Sequence, residues 1–182
     1  FKGLKLRGPT RLTTKMLASF GATPVGMPVT QVAEALSKNV IDGAALPWEI
    51  VPAIKAHELT GFHTETDANS RALYTATFIF AINKASYERL PADVKACLDA
   101  NSGAELSAWI GKVWDESSAG ARKLAVDRGN TFHTVPATEL AAWQRASAGV
   151  ADEWVKDANA KGLDGAALLR SARTLIDRHD RR

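Results

Sequence analysis

The sequence predicts an α/β fold. Three observations in its first third point there. Short apolar runs alternate with stretches whose apolar residues recur every three or four positions, Gly and Pro punctuate the joints, and Thr stands where helices should begin. The opening run "GLKLRGPT", residues 3–10, alternates Leu4 and Leu6 with Lys5 and Arg7 and stops at Gly8-Pro9. That pattern reads as a short half-buried strand with both leucines toward a core and Arg7 near its carboxyl end, the end where open α/β sheets bind ligands.

Thr10 caps a helix over "RLTTKMLASF", with Leu12, Met16 and Phe20 on one face and Gly21 as its left-handed stop. "TPVGM" is a second strand, and Thr30 caps a second helix, "QVAEALSKN", ended by Asn39. "VIDGAAL" is a third strand or extended turn, after which Pro47 opens a third helix through Trp48, Ile50, Val51 and Ile54. Residues 59–72, "LTGFHTETDANSRA", are polar and turn-rich and read as a connection. The β-branched and aromatic run "LYTATFIFAIN", residues 73–83, reads as a buried strand or a crossover between sheets. Pro91 starts a long helix whose apolar positions run from Val94 to Leu124, with Gly129 as its stop and a kink expected near Ser102-Gly103 or Gly111. "TFHTV" is a last strand, two helices follow over 138–160 and 164–179, and "RHDRR" is a frayed tail. The chain thus divides into an α/β lobe over 1–72, a crossover strand and long helix over 73–130, and a strand with two helices over 131–182.

Composition narrows the function. With 182 residues and 46% hydrophobic content the chain can build one ordinary core or two small lobes. Its 23 basic residues nearly balance 20 acidic ones, so no nucleic-acid partner is implied. Cys97 stands alone, which excludes an internal disulfide, and no apolar stretch is long enough to insert in a membrane. The chain opens on Phe1 without Met or leader, which predicts processing or truncation.

Catalytic templates fit poorly. His57, His63, His133 and His179 lie far apart in sequence with no ligand spacing, so neither a metal nor another cofactor is expected. His63-Thr64-Glu65 has the form H-x-E but lacks the downstream P-C-x-x-C, and reads as a loop histidine. Nucleophile elbow, phosphate loop and dinucleotide fingerprint are all missing. Asp42-Gly43 offers a carboxylate that is either a base or a turn residue.

One combination is specific. "GLKLR", a helix, "GATPVGMP", then "VAEALSKNVIDG" resembles, in order and spacing, the DctP-type solute receptors of TRAP (tripartite ATP-independent periplasmic) transporters. "FHTET", "INKASYERLPADV" and the long helix after them are also similar to that family. The likeness covers nearly the whole chain, but only the family's C-terminal part. It implies the C-terminal portion of a bilobal periplasmic-binding-protein fold, a mixed sheet flanked by helices, a long inter-lobe helix and an absent N-terminal lobe. It further implies a periplasmic receptor that clamps an organic acid for membrane permease subunits and performs no catalysis.

The family's carboxylate-binding arginine falls on Arg7, whose two parallel N–H donors match a carboxylate's two oxygens. Thr10 falls where the family often places a polar contact. Two departures shape the ligand: Val29 replaces an aromatic residue common among acid-binding relatives, and Leu46 replaces an asparagine. With Leu46, Trp48 and Tyr74 as walls and Thr75 and Thr77 as lesser candidates, the expected ligand is a monocarboxylate with an aromatic or branched apolar body. Core packing is the competing role for Trp48 and Tyr74. The competing functions are a ligand-sensing module of a regulator and an enzyme using Asp42 or His63.

Overall fold

The computed structural model describes residues 1–179, so Asp180, Arg181 and Arg182, the last part of the expected tail, lie outside it. Its first sheet has three parallel strands. β1 (Lys5–Gly8) lies between β2 (Thr23–Gly26) and β3 (Gly43–Ala44), with Arg7 opposite Val25 on one side and Ala44 on the other. A central parallel strand has neighbours on both edges and cover on both faces, so alternation does not report its buried side. Leu4, expected in the core, is 44% exposed, whereas Arg7 is only 5% exposed.

Between β1 and β2 runs α1 (Arg11–Ser19), capped as expected by Thr10. The Thr13 N–H donates to Thr10 Oγ1 at 3.2 Å and the Thr10 N–H to Thr13 Oγ1 at 2.8 Å, which satisfies two otherwise orphaned donors. Gly21, at φ +89°, ends the helix as expected. Thr30, however, caps nothing. It lies within a 3₁₀ turn, Val29–Gln31, and α2 (Val32–Ser37) begins from Gln31 with no side-chain cap. Pro47 likewise precedes only a 3₁₀ turn, Trp48–Ile50, and the short α3 (Ala56–Leu59) follows. The core here gathers Val32, Ala35, Leu36, Ile41, Val51 and Ala56.

A second sheet replaces the polar connection. β4 (Phe62–Thr66) pairs in parallel with β5 (Thr131–Val135), so His63, expected on a loop, lies on a strand directly opposite Phe132. All described strand pairs are parallel, in two separate sheets, where one mixed sheet was expected. Conversely, "LYTATFIFAIN" forms no ladder among the described residues, and its apolar side chains are largely open, Phe80 at 94%. Phe78 alone of them stacks on a ring, that of Trp114, at 4.9 Å.

The helical remainder begins with α4 (Lys84–Glu88), which the periodicity did not suggest. The single long helix is two: α5 (Ala92–Ala100), with Pro91 as its N-cap, and α6 (Ala104–Asp127), parted at the expected Ser102-Gly103 by Gly103 at φ +85°. α7 (Ala137–Asn159) and α8 (Gly165–His179) complete the chain. Trp143 of α7 packs on Phe1 and Phe20 at 4.9 and 5.6 Å and so fastens α7 to the first lobe. No described helix is long and apolar enough to cross a membrane.

Candidate functional site

The site is built around Arg7. Its Nε donates to the Met27 carbonyl at 3.2 Å and its Nη1 to the Ala45 carbonyl at 3.1 Å. Met27 follows β2 directly and Ala45 follows β3, so the guanidinium lies across the carboxyl ends of all three strands. Two of its five N–H groups are committed to these carbonyls, and those on Nη2 bond no described group. Burial lowers its pKa, and no carboxylate among the described residues forms an ion pair with it. A buried cation without a counter-charge is costly, and an organic anion on the Nη2 edge would offset that cost.

Tyr74 shares this environment. Its hydroxyl is buried without a hydrogen-bond partner among the described residues. Burial pushes its pKa up to about 12, the Arg7 charge pulls the other way, and Glu49 adds a smaller upward push. Arg7 and Tyr74 therefore feel one another, although they stand 67 positions apart in the sequence.

The other expected residues divide. Thr10 is exposed, but its hydroxyl is engaged with Thr13. Val29, Leu46 and Trp48 are half-buried, and Leu46 and Trp48 pack against the hydrophobic core. Thr75 and Thr77 are exposed. Asp42 has a structural occupation: its Oδ2 accepts from the Lys5 N–H at 2.7 Å and so secures the start of β1.

Trp48 also joins a group that sequence reasoning missed. Its ring lies 5.1 Å from His63 and 5.8 Å from Phe132, and the Arg122 guanidinium sits 4.4 Å over Phe132. Arg122 grips Glu65 through Nε at 3.0 Å and Nη2 at 2.6 Å, which raises the arginine's pKa. Asn130, just before β5, places its Nδ2 2.8 Å from His63 Nε2. These residues come from the Trp48–Ile50 turn, β4, α6, β5 and the turn before β5, and no local spacing announces their meeting. No described group of His, Cys, Asp and Glu could hold a metal ion.

The family model for bacterial extracellular solute-binding protein, family 7, matches residues 1–157. The chain is 28% identical over 165 residues to the C4-dicarboxylate-binding periplasmic protein DctP of Rhodobacter capsulatus, a match covering 90% of this chain and 48% of that protein. Among solved structures, a TRAP solute-binding protein from Rhodoferax ferrireducens in complex with copurified benzoate is 52% identical, with a TM-score of 0.93 over 98% of this chain and 56% of that one. A marine-metagenome TRAP solute-binding protein specific for aromatic acid ligands, co-crystallised with 3-hydroxybenzoate, is 50% identical, with a TM-score of 0.92 over 99% and 56%. The chain thus spans about half the length of the relatives it matches.

Proposed function

Because the chain belongs to the bacterial extracellular solute-binding proteins of family 7, we propose that it carries the arginine-bearing lobe of a periplasmic TRAP receptor that captures an aromatic or branched apolar monocarboxylate for a membrane permease. The observation that carries this reading is the buried Arg7, fixed by two backbone carbonyls and left without a carboxylate partner among the described residues. Its Nη2 edge grips the ligand carboxylate, while Leu46 and Tyr74 line the apolar body and Trp48 backs the wall. Val29 leaves room where a larger ring would narrow the site. Thr10 contributes mainly by holding the start of α1, whose free N–H groups favour a nearby anion. Thr75 is assigned to the ligand's outer edge.

The benzoate and 3-hydroxybenzoate carried by the two half-identical relatives support an aromatic acid as the ligand class. Closure of a second lobe over the acid creates the surface that the permease reads, and the lobe itself does no chemistry. Calorimetry of the full-length natural polypeptide tests this. Benzoate should bind and succinate should not. Binding of succinate in preference to benzoate would overturn the ligand class.

A further inference from the structure

The Asn130 side-chain amide is surrounded by acceptors. Its Nδ2 donates to the His57 carbonyl and to the Thr60 carbonyl, each at 2.9 Å, and His63 Nε2 lies 2.8 Å away. The amide carries two hydrogens, and two carbonyls already claim them. Turning the amide over would set its oxygen against both carbonyl oxygens, so its orientation is fixed. A proton on His63 Nε2 would then meet a donor, whereas a bare Nε2 lone pair can share one of the amide hydrogens.

We propose that Asn130 holds His63 neutral with its proton on Nδ1, and that His63 in this form is a positioning residue for Trp48, which makes acid capture sensitive to pH. The proposal rests on the ligand reading above for its effect on binding, but not for the protonation state itself. His63 lies between Trp48 and Phe132, with ring centroids 5.1 and 5.3 Å away. Protonating Nε2 forces it away from Asn130, which disturbs the tie between the α3–β4 connection and the turn before β5, and moves the ring on which Trp48 rests.

Burial, more than the charged surroundings, opposes protonation. It is the chief cause that lowers the His63 pKa below 6.5; among the charges Glu65 has the largest effect and pulls it up, while His57 and Arg122 push it down. Glu65 is already held by both Nε and Nη2 of Arg122, which limits its support for an imidazolium. From α3, His57 presents its Nε2 3.9 Å from Glu58. On β5, His133 pairs with Thr64 and so lies on the opposite face from His63.

The test uses the full-length natural polypeptide. Nitrogen NMR of ¹⁵N-histidine protein reads the tautomer with no ligand present. His63 should be neutral and Nδ1-protonated at about pH 7.5, and a resonance from protonated Nε2 there would overturn the proposal. Calorimetry with benzoate then reads the consequence. Between about pH 7.5 and 5.5, where an aromatic carboxylate remains ionised, the affinity should fall roughly threefold or more. H63F should flatten that profile and H133Q should keep it. An H63F profile as steep as the unsubstituted protein's would also overturn it. If benzoate binds at no pH, the ligand reading fails, and the tautomer alone decides the protonation claim.

Discussion

Arg7 Nη1 donates to the Ala45 carbonyl at 3.1 Å, so the cation proposed to face the ligand is also a strut between β1 and the chain leaving β3. Strut and ligand grip use different edges of one guanidinium. Arg7→Ala should therefore fail in two ways. It leaves the Met27 and Ala45 carbonyls without their donor, costing about 1–3 kcal/mol of stability, the range for a buried polar group left unsatisfied. It also removes the carboxylate's partner, costing about 2–5 kcal/mol of benzoate affinity. Arg7→Lys keeps the charge but cannot serve two carbonyls and a forked anion together, so it should recover little of either. Urea unfolding and calorimetry separate the two losses. Unchanged affinity in the alanine variant would remove Arg7 from the site.

Thr10 should matter to stability more than to ligand. Its hydroxyl and backbone N–H form a reciprocal pair with Thr13, and Thr10→Ala breaks that box at a cost of about 1 kcal/mol. Thr10→Ser should restore most of it. Both effects are read from the urea midpoint. An alanine variant as stable as the parent would mean that water replaces the cap without loss.

The ordered half of this lobe was legible because its signals are local. Thr10 and Gly21 bracket α1 by hydrogen-bond and backbone requirements that any sequence window contains, and Gly103 parts α5 from α6 for the same reason. Of the second sheet, β5 was legible as the strand "TFHTV", but β4 and its pairing were not. "FHTET" is polar because its Glu65 meets Arg122, 57 positions away, and His63 meets Asn130, 67 away, so no window holds both partners. The run at 73–83 fails in the opposite sense. Its composition suits a strand, but strand preference measures fit to neighbouring strands and faces, and the described chain offers it none. Arg7 itself was found by resemblance, since alternation alone would have turned it to solvent.

Gly8 is required for a steric reason rather than for its backbone angles. An alanine Cβ there would lie 2.5 Å from Thr14 Oγ1 and 2.8 Å from both Cα and N of Thr14, and the backbone atoms cannot swing aside as a flexible side chain could. Gly8→Ala must push α1 away from the end of β1. The expected cost is about 1–3 kcal/mol, as for other overpacked interiors, measured by urea or thermal unfolding. Because α1 starts beside Arg7, benzoate affinity should weaken as well. A variant with parental stability would show that the helix shifts freely over the strand.

Tyr74 predicts the behaviour in alkali. Its pKa is raised from 10.0 to about 12, so the folded chain keeps the phenolic proton through a range in which the unfolded chain has lost it. The native state then binds more protons than the unfolded state, and stability falls as pH rises. The contribution is fully present below pH 10.0 and is lost as pH climbs through about 12. Tyr74→Phe removes this slope. At neutral pH it should cost nothing or stabilise slightly, because it deletes a buried hydroxyl that lacks a partner. The comparison between parent and variant cancels Tyr87, whose pKa is raised chiefly by its hydrogen bond to Asp99. Urea midpoints at about pH 9 and pH 11 provide the measurement, with phenolate absorbance following the two tyrosines directly. Equal slopes in parent and variant would mean that the Tyr74 hydroxyl meets water in the folded chain.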